Sequence, residues 1–147
     1  MRAQSLALYI QKVASGAAHT HHFLEMYLLL AIVSIELSKK GMRRVLQRCT
    51  SPGPLEAMCS ESEEARLVEL ARMLSNQASR AHFLENACME RALATCWFLR
   101  RRGVKADFVL AVRKRPFSGH AWAEWRGRRL DDPLPGEIRI CTPILRR

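Results

Sequence analysis

The spacing of apolar positions changes along this chain, and each change marks an element. Leu6, Leu8, Tyr9, Ile10 and Val13 suit a short amphipathic helix at the start. The stretch 23–48 is the most apolar, with an uncharged run over 26–35 bracketed by Glu25 and Glu36. A membrane-spanning helix needs about 20 apolar residues, so this run predicts a buried helix. Its apolarity lies almost all round, which places it at the centre of the core or against a partner protein. Lys39, Lys40, Arg43 and Arg44 follow on its polar side. Such a pattern could also touch a membrane surface, but plain packing is the simpler reading. Residues 50–62 are rich in proline, serine and threonine and read as a loop. Ser60 or Ser62 then caps a helix whose acids Glu61, Glu63 and Glu64 sit at its positive end. Leu67, Leu70, Ala71 and Leu74 recur at the helical period, which predicts a helix over 63–80.

The next helix is expected over about 87–102. Asn86 is a suitable N-cap. Met89, Leu93, Cys96 and the Ala92/Leu99 pair line one face, Arg100, Arg101 and Arg102 complement the negative end, and Gly103 stops the helix. After Gly103 the period becomes two. Val104, Ala106, Phe108, Leu110 and Val112 alternate with Lys105, Asp107, Val109, Ala111 and Arg113, which predicts a half-buried strand. Pro116 breaks it. A second strand carries His120, Trp122, Glu124 and Arg126 on one face and Ala121, Ala123 and Trp125 on the other. Gly127 signals a hairpin, the return strand ends at Asp131 and Asp132, and the segment 137–145 can add one more short strand.

Composition narrows the picture. Lys and Arg number 24 against 14 acids among 147 residues, a formal net charge of +10. That charge attracts anionic partners but does not choose among them. No basic stripe with interleaved aromatics is present, so nucleic-acid binding is not expected. Hydrophobic residues make up 48% of the chain, enough for one folded domain over 1–147: a helical half over 1–85 and a second half over 86–147. Cys49, Cys59, Cys88, Cys96 and Cys141 are odd in number and form no zinc-type spacing, which suits reduced thiols and a cytoplasmic setting. No signal peptide is read at the N-terminus. His19, His21 and His22 could hold a metal, with Glu25 nearby, but a polar helix entry is the simpler reading. His82 is a further imidazole, in a loop.

The candidate chemistry lies over 86–132. Cys88 falls in the first turn of its helix, where the dipole and unpaired N–H groups favour an anion, whereas Cys96 lies two turns further in and reads as a small core residue. His120 sits on a strand, and the hairpin brings the return strand's acids to it. With Arg126 and Gly127 as the turn, or with a three-residue loop centred on Arg126, Asp132 falls across from His120 or one place off. Cross-strand Cβ atoms are then about 5 Å apart. By the period of two, Asp131 is expected to point to the opposite face. Cys88, His120 and Asp132 are thus a candidate nucleophile, base and orienting acid. The same residues could also be a buried helix cysteine, a strand-end histidine and a turn acid.

The wording of this stretch, CMERALA, FLRRRGVKADFVLAVRKRPF, HAWAEW, RGRRL and DD, closely resembles the leader peptidases of lasso-peptide biosynthesis. These are the B-type maturation proteases of the transglutaminase-like cysteine protease superfamily. The likeness covers about a third of the chain strongly; the first 85 residues resemble the family's helical N-terminal half only in general terms. It departs at Met89, where Leu is usual, at Ala111, where Gly is common, and at Asp131, where Asn is frequent. The resemblance implies Cys88 as nucleophile, His120 as base and Asp132 as orienting acid, with Arg91, Phe117 and Trp122 as scaffold or site wall. It implies an α+β fold, with a helical N-terminal half before a transglutaminase-like, papain-like core in which the Cys-bearing helix packs on a small antiparallel sheet. The implied activity is cleavage of the leader from a lasso-peptide precursor, without metal or organic cofactor. The implied partners are the precursor's leader region, a separate leader-recognition protein and an ATP-dependent macrocyclase. The apolar 26–35 helix and the basic surface are the expected docking sites. A catalytically silent adaptor and a transglutaminase-like acyl transferase are the alternatives.

Overall fold

The computed structural model describes residues 2–53, 59–81, 88–114, 117–131 and 142–146. Four helices come first: α1 (Arg2–Lys40), α2 (Met42–Thr50), α3 (Glu61–Ala81) and α4 (Cys88–Arg100). The strands β1 (Asp107–Lys114), β2 (Phe117–Trp125), β3 (Arg128–Arg129) and β4 (Thr142–Arg146) follow. They form an antiparallel sheet in the order β3-β2-β1-β4. The fold is α+β, with the Cys-bearing helix laid on the sheet. His82, Asn86, Asp132 and Cys141 lie outside the described residues.

The N-terminal region differs from its expectation. A short helix and a separate apolar helix were expected, but one helix runs from Arg2 to Lys40. It ends where Gly41 takes a positive φ of 75°, a conformation cheap only for glycine. The run 26–35 is not buried all round. Met26, Leu29, Leu30 and Val33 enter the core, whereas Leu24, Leu28, Ile32 and Ile35 stay exposed on the other side. By length and composition, Ser15–Lys40 is apolar enough to cross a membrane.

The central helix is α4. It packs on α1, α2 and α3 and on the sheet strands β1 and β2. Ala92, Leu93, Ala94, Thr95, Cys96, Phe98 and Leu99 are all buried, so it has no solvent face to speak of over that length. Small side chains make this close approach possible: Ala92 and Ala94 lie on the helix, and Ala121 and Ala123 line the face of β2 opposite to His120. The helix ends in a Schellman motif, with Val104 N–H donating to Leu99 C=O at 3.1 Å and Gly103 N–H to Arg100 C=O at 3.1 Å. Gly103 takes φ 84°, as this cap requires.

Two ties hold the other elements against α4. Arg102 reaches α1, where it pairs with Glu25, donates to His22 Nδ1 at 3.1 Å and stacks 3.7 Å from the Phe98 ring centre. The donor atoms of His21, His22 and Glu25 lie within 4.8 Å of one another, as a metal site would need. Arg102 already occupies two of the three, and burial, with the Arg102 charge, holds the His22 imidazole below its ordinary value. The chain after α2 crosses the C-terminal end of α4 at Gly53, where an added Cβ would lie 1.9 Å from the Arg100 carbonyl oxygen.

The start of α3 is a capping box. Ser60 Oγ accepts from Glu63 N–H at 3.4 Å, and Ser60 N–H donates to Glu63 Oε2 at 2.9 Å. The β2–β3 hairpin leans on this end: Trp125 Nε1–H donates to Glu64 at 3.1 Å and Arg126 to Glu61 at 2.8 Å.

The sheet is buried on both faces beside the site. Val104, Ala106 and Phe108 enter the main core as expected, but Val109 and Ala111 form a second buried cluster with Trp122. The half-buried strand of the sequence reading is covered on its other side as well.

Candidate active site

The site forms where the first residue of α4 meets the middle of β2. The hairpin after β2 has Arg126 and Gly127 as its two turn residues, both at positive φ, 50° and 77°. The register pairs Glu124 with Arg129 and Trp125 with Arg128, so opposed residues sum to 253. The ladder continues to Leu130, whose N–H donates to Ala123 C=O at 2.9 Å. In an antiparallel pair, hydrogen-bonding groups of one strand point to the same neighbour at every second residue. Ala123 points its groups to the return strand, so Ala121 points its groups to the same side. The Ala121 N–H donates to Cys88 Sγ at 3.4 Å.

The register also decides which acid meets His120. With a sum of 253, Asp131 lies opposite Trp122 and diagonal to His120, on the same face as both. His120 Nε2 and Asp131 Oδ2 are 2.8 Å apart. The expectation that Asp131 points away from His120 is therefore corrected. That expectation allowed both the two-residue turn and a three-residue loop, but the two-residue turn that forms joins residues of opposite parity on one face. Asp132, the expected orienting acid, lies outside the described residues.

Asp131 is held on both oxygens. Arg129 Nε donates to Oδ1 at 2.9 Å and its terminal nitrogen to Oδ2 at 2.6 Å. Burial pushes the Asp131 carboxyl up, but the hydrogen bonds from Arg129 and His120, with their charges, more than offset it and hold the group below the usual carboxylate value. The Trp122 ring ties the set together. The His120 ring stacks on it at 5.7 Å and 28°, and the Arg129 guanidinium lies 4.1 Å from its centre. Its own Nε1–H donates to the buried Glu124 at 2.8 Å, which fixes the ring's direction. Arg129 went unnoticed in the sequence. The signal was available: once Arg126 and Gly127 are the turn, odd-numbered residues on the return strand share the face of His120.

Cys88, His120 and Asp131 line one cavity of about 350 Å³, together with Trp122, Leu130, Ser75, Asn76, Arg91 and Thr95. Arg91 and Trp122, read as scaffold or site wall, both border it; of Phe117 only the backbone, in β2, is described. Cys88 is half-buried, whereas Cys49 and Cys96 are fully buried, and burial pushes the Cys49 thiol up to about 12 and the Cys96 thiol further still. Because Nε2 of His120 faces Asp131, its Nδ1 is the ring nitrogen left for a second partner.

The site has the parts of a thiol nucleophile, an imidazole and a carboxylate in one cavity. A family model described as Transglutaminase-like superfamily matches residues 29–146. Comparisons with curated proteins and with solved structures return no match. The matched span runs from within α1 to the end of β4 and takes in all three side chains, and so this chain belongs to the transglutaminase-like superfamily.

Proposed function

We propose that this chain is a cysteine protease that removes the leader from a lasso-peptide precursor. One observation carries the chemistry: Cys88 Sγ, at the first residue of α4, accepts the N–H of Ala121, the residue next to His120, in the cavity that His120 and Asp131 share. The resemblance of residues 88–132 to the B-type maturation proteases supports the substrate. In this reading His120 Nδ1 takes the Cys88 proton, and the thiolate attacks the scissile carbonyl. The imidazolium, steadied by Asp131, passes its proton to the leaving amine. Water then hydrolyses the acyl-enzyme, with His120 as base. The N–H groups of the first turn of α4, which have no acceptor within the helix, are the donors at hand for the oxyanion. Asp131 takes the orienting role first assigned to Asp132.

The partners in this reading are the precursor's leader region, a separate leader-recognition protein that presents it, and the macrocyclase that closes the ring. The free thiols of Cys49, Cys59, Cys88 and Cys96 support a reducing, cytoplasmic setting. The test is incubation of the purified chain with a lasso-peptide precursor and a leader-recognition protein that binds its leader, read by mass spectrometry. Leader and core fragments that sum to the precursor plus one water are expected, and none with Cys88→Ala. A fragment carrying an added amine would replace hydrolysis by acyl transfer. Precursor bound but uncut by the folded chain would make it an adaptor.

A further inference from the structure

The cavity is lined by one cation, Arg91, that the proposed chemistry does not use. Arg91 lies one helical turn after Cys88 on α4, so the two side chains leave the helix on the same side, with Cβ atoms about 5–6 Å apart. The one hydrogen bond of its guanidinium among the described residues goes to the neutral Oδ1 of Asn76 on α3. Its Nε is buried and meets no acceptor. Ser75, also on α3 and only 6% exposed, lines the same cavity. The Thr95 hydroxyl is spent on the Arg91 carbonyl oxygen, at 2.8 Å. Asp131, the carboxylate of this cavity, is already engaged by Arg129 and His120.

The cavity therefore holds a part-buried guanidinium that has a neutral partner and no carboxylate among the described residues. A cation in that condition is under-satisfied. An entering carboxylate would gain a charge-assisted, two-pronged contact and displace at most one bond to a neutral amide. We propose that Arg91 anchors a carboxylate side chain of the substrate, an aspartate or glutamate next to the scissile bond, and so determines specificity. Arg91 and Cys88 line the same cavity, which places the anchored side chain beside the residue whose carbonyl Cys88 attacks. The substrate in this inference rests on the reading of Cys88 as nucleophile; the cavity and its cation do not.

Two small alkylating agents test it without knowledge of the substrate. Iodoacetate and iodoacetamide are nearly the same size, and with both the Cys88 sulfur bonds to the methylene carbon as iodide leaves. Only iodoacetate carries a carboxylate. The ratio of their rates at Cys88 is followed by the mass of the Cys88 peptide. The charges near His120 and Arg129 are common to every variant, so the change in ratio isolates Arg91. Arg91→Met should lower the iodoacetate-to-iodoacetamide ratio roughly tenfold, a modest return for a partly desolvated pair. Arg91→Lys should keep most of the ratio. Ser75→Asp, which places a carboxylate in the same cavity and leaves Arg91 in place, should also lower it, and decides the matter if Arg91→Met does not fold. A ratio unchanged in Arg91→Met, or in Ser75→Asp where that variant must decide, overturns the proposal. If Cys88 alkylates no faster than a free thiol with either agent, the nucleophile reading fails, while the ratio still reports on Arg91; the two failures are distinct.

Discussion

Replacing Arg129 by methionine keeps the length and apolar stem of the side chain and removes its charge. The lost contacts are two hydrogen bonds to Asp131, at 2.9 and 2.6 Å, and the guanidinium over the Trp122 ring at 4.1 Å. Each hydrogen bond to a charged group is worth about 1.5–3 kcal/mol when buried. Arg129 and Asp131 are 17% and 18% exposed, so water re-enters only in part, and about 2 kcal/mol remains for the pair. The cation–π contact adds about 0.5–1 kcal/mol. A loss of about 2–3 kcal/mol in a chain of this size lowers Tm by roughly 8 °C. The pH dependence separates charge from packing. Asp131 titrates below its ordinary value in the folded state, so its share of stability is present above the unfolded value of about 3.9 and is lost as pH falls through the folded value. The difference between Arg129→Met and the parent should be full at pH 7 and shrink below about pH 4. Denaturant midpoints at several pH values, with circular dichroism, measure it. An equal difference at neutral and acid pH would show that Arg129 acts by packing alone, and no difference at pH 7 would refute the reasoning outright.

Asp131→Ala should cost roughly a hundredfold or more in the rate of leader cleavage, and more than Asp132→Ala; the reverse ranking in the same assay would return the orienting role to Asp132. Iodoacetamide at neutral pH should label Cys88 well before Cys49 and Cys96, whose burial keeps them protonated and covered, and early labelling of Cys96 in the native protein would contradict the burial described. Gly53→Ala forces a Cβ to within 1.9 Å of the Arg100 carbonyl oxygen and should cost about 1–3 kcal/mol or more, seen as a Tm several degrees lower; a neutral result would mean that the crossing at α4 is loose.

Much of this arrangement was legible in residue order, because local rules dictate it. Gly103 announced the end of α4, Ser60, one of two serines read as the cap, announced the start of α3, and the change of period after Gly103 announced β1. What escaped was decided by other elements. His19, His21 and His22 read as the polar entry to a second helix, yet α1 runs through them without a break. The apolar run in α1 looked central, but Leu28 and Ile32 face out, and the alanine-rich α4 takes the centre because its small residues admit neighbours on every side. The choice between Asp131 and Asp132 turned on a single step of register, which composition cannot resolve. Arg129 was hidden by the same step.

Placing the sulfur on the one helix that every other layer leans upon has a cost in independence. Amide protons from 92 to 99 should be among the last to exchange with solvent, since freeing them requires α1, α3 and the sheet to part together. Loss of activity on heating should then track global melting and not precede it. A site built this way has little room for partial failure: it keeps its geometry until the whole molecule comes apart.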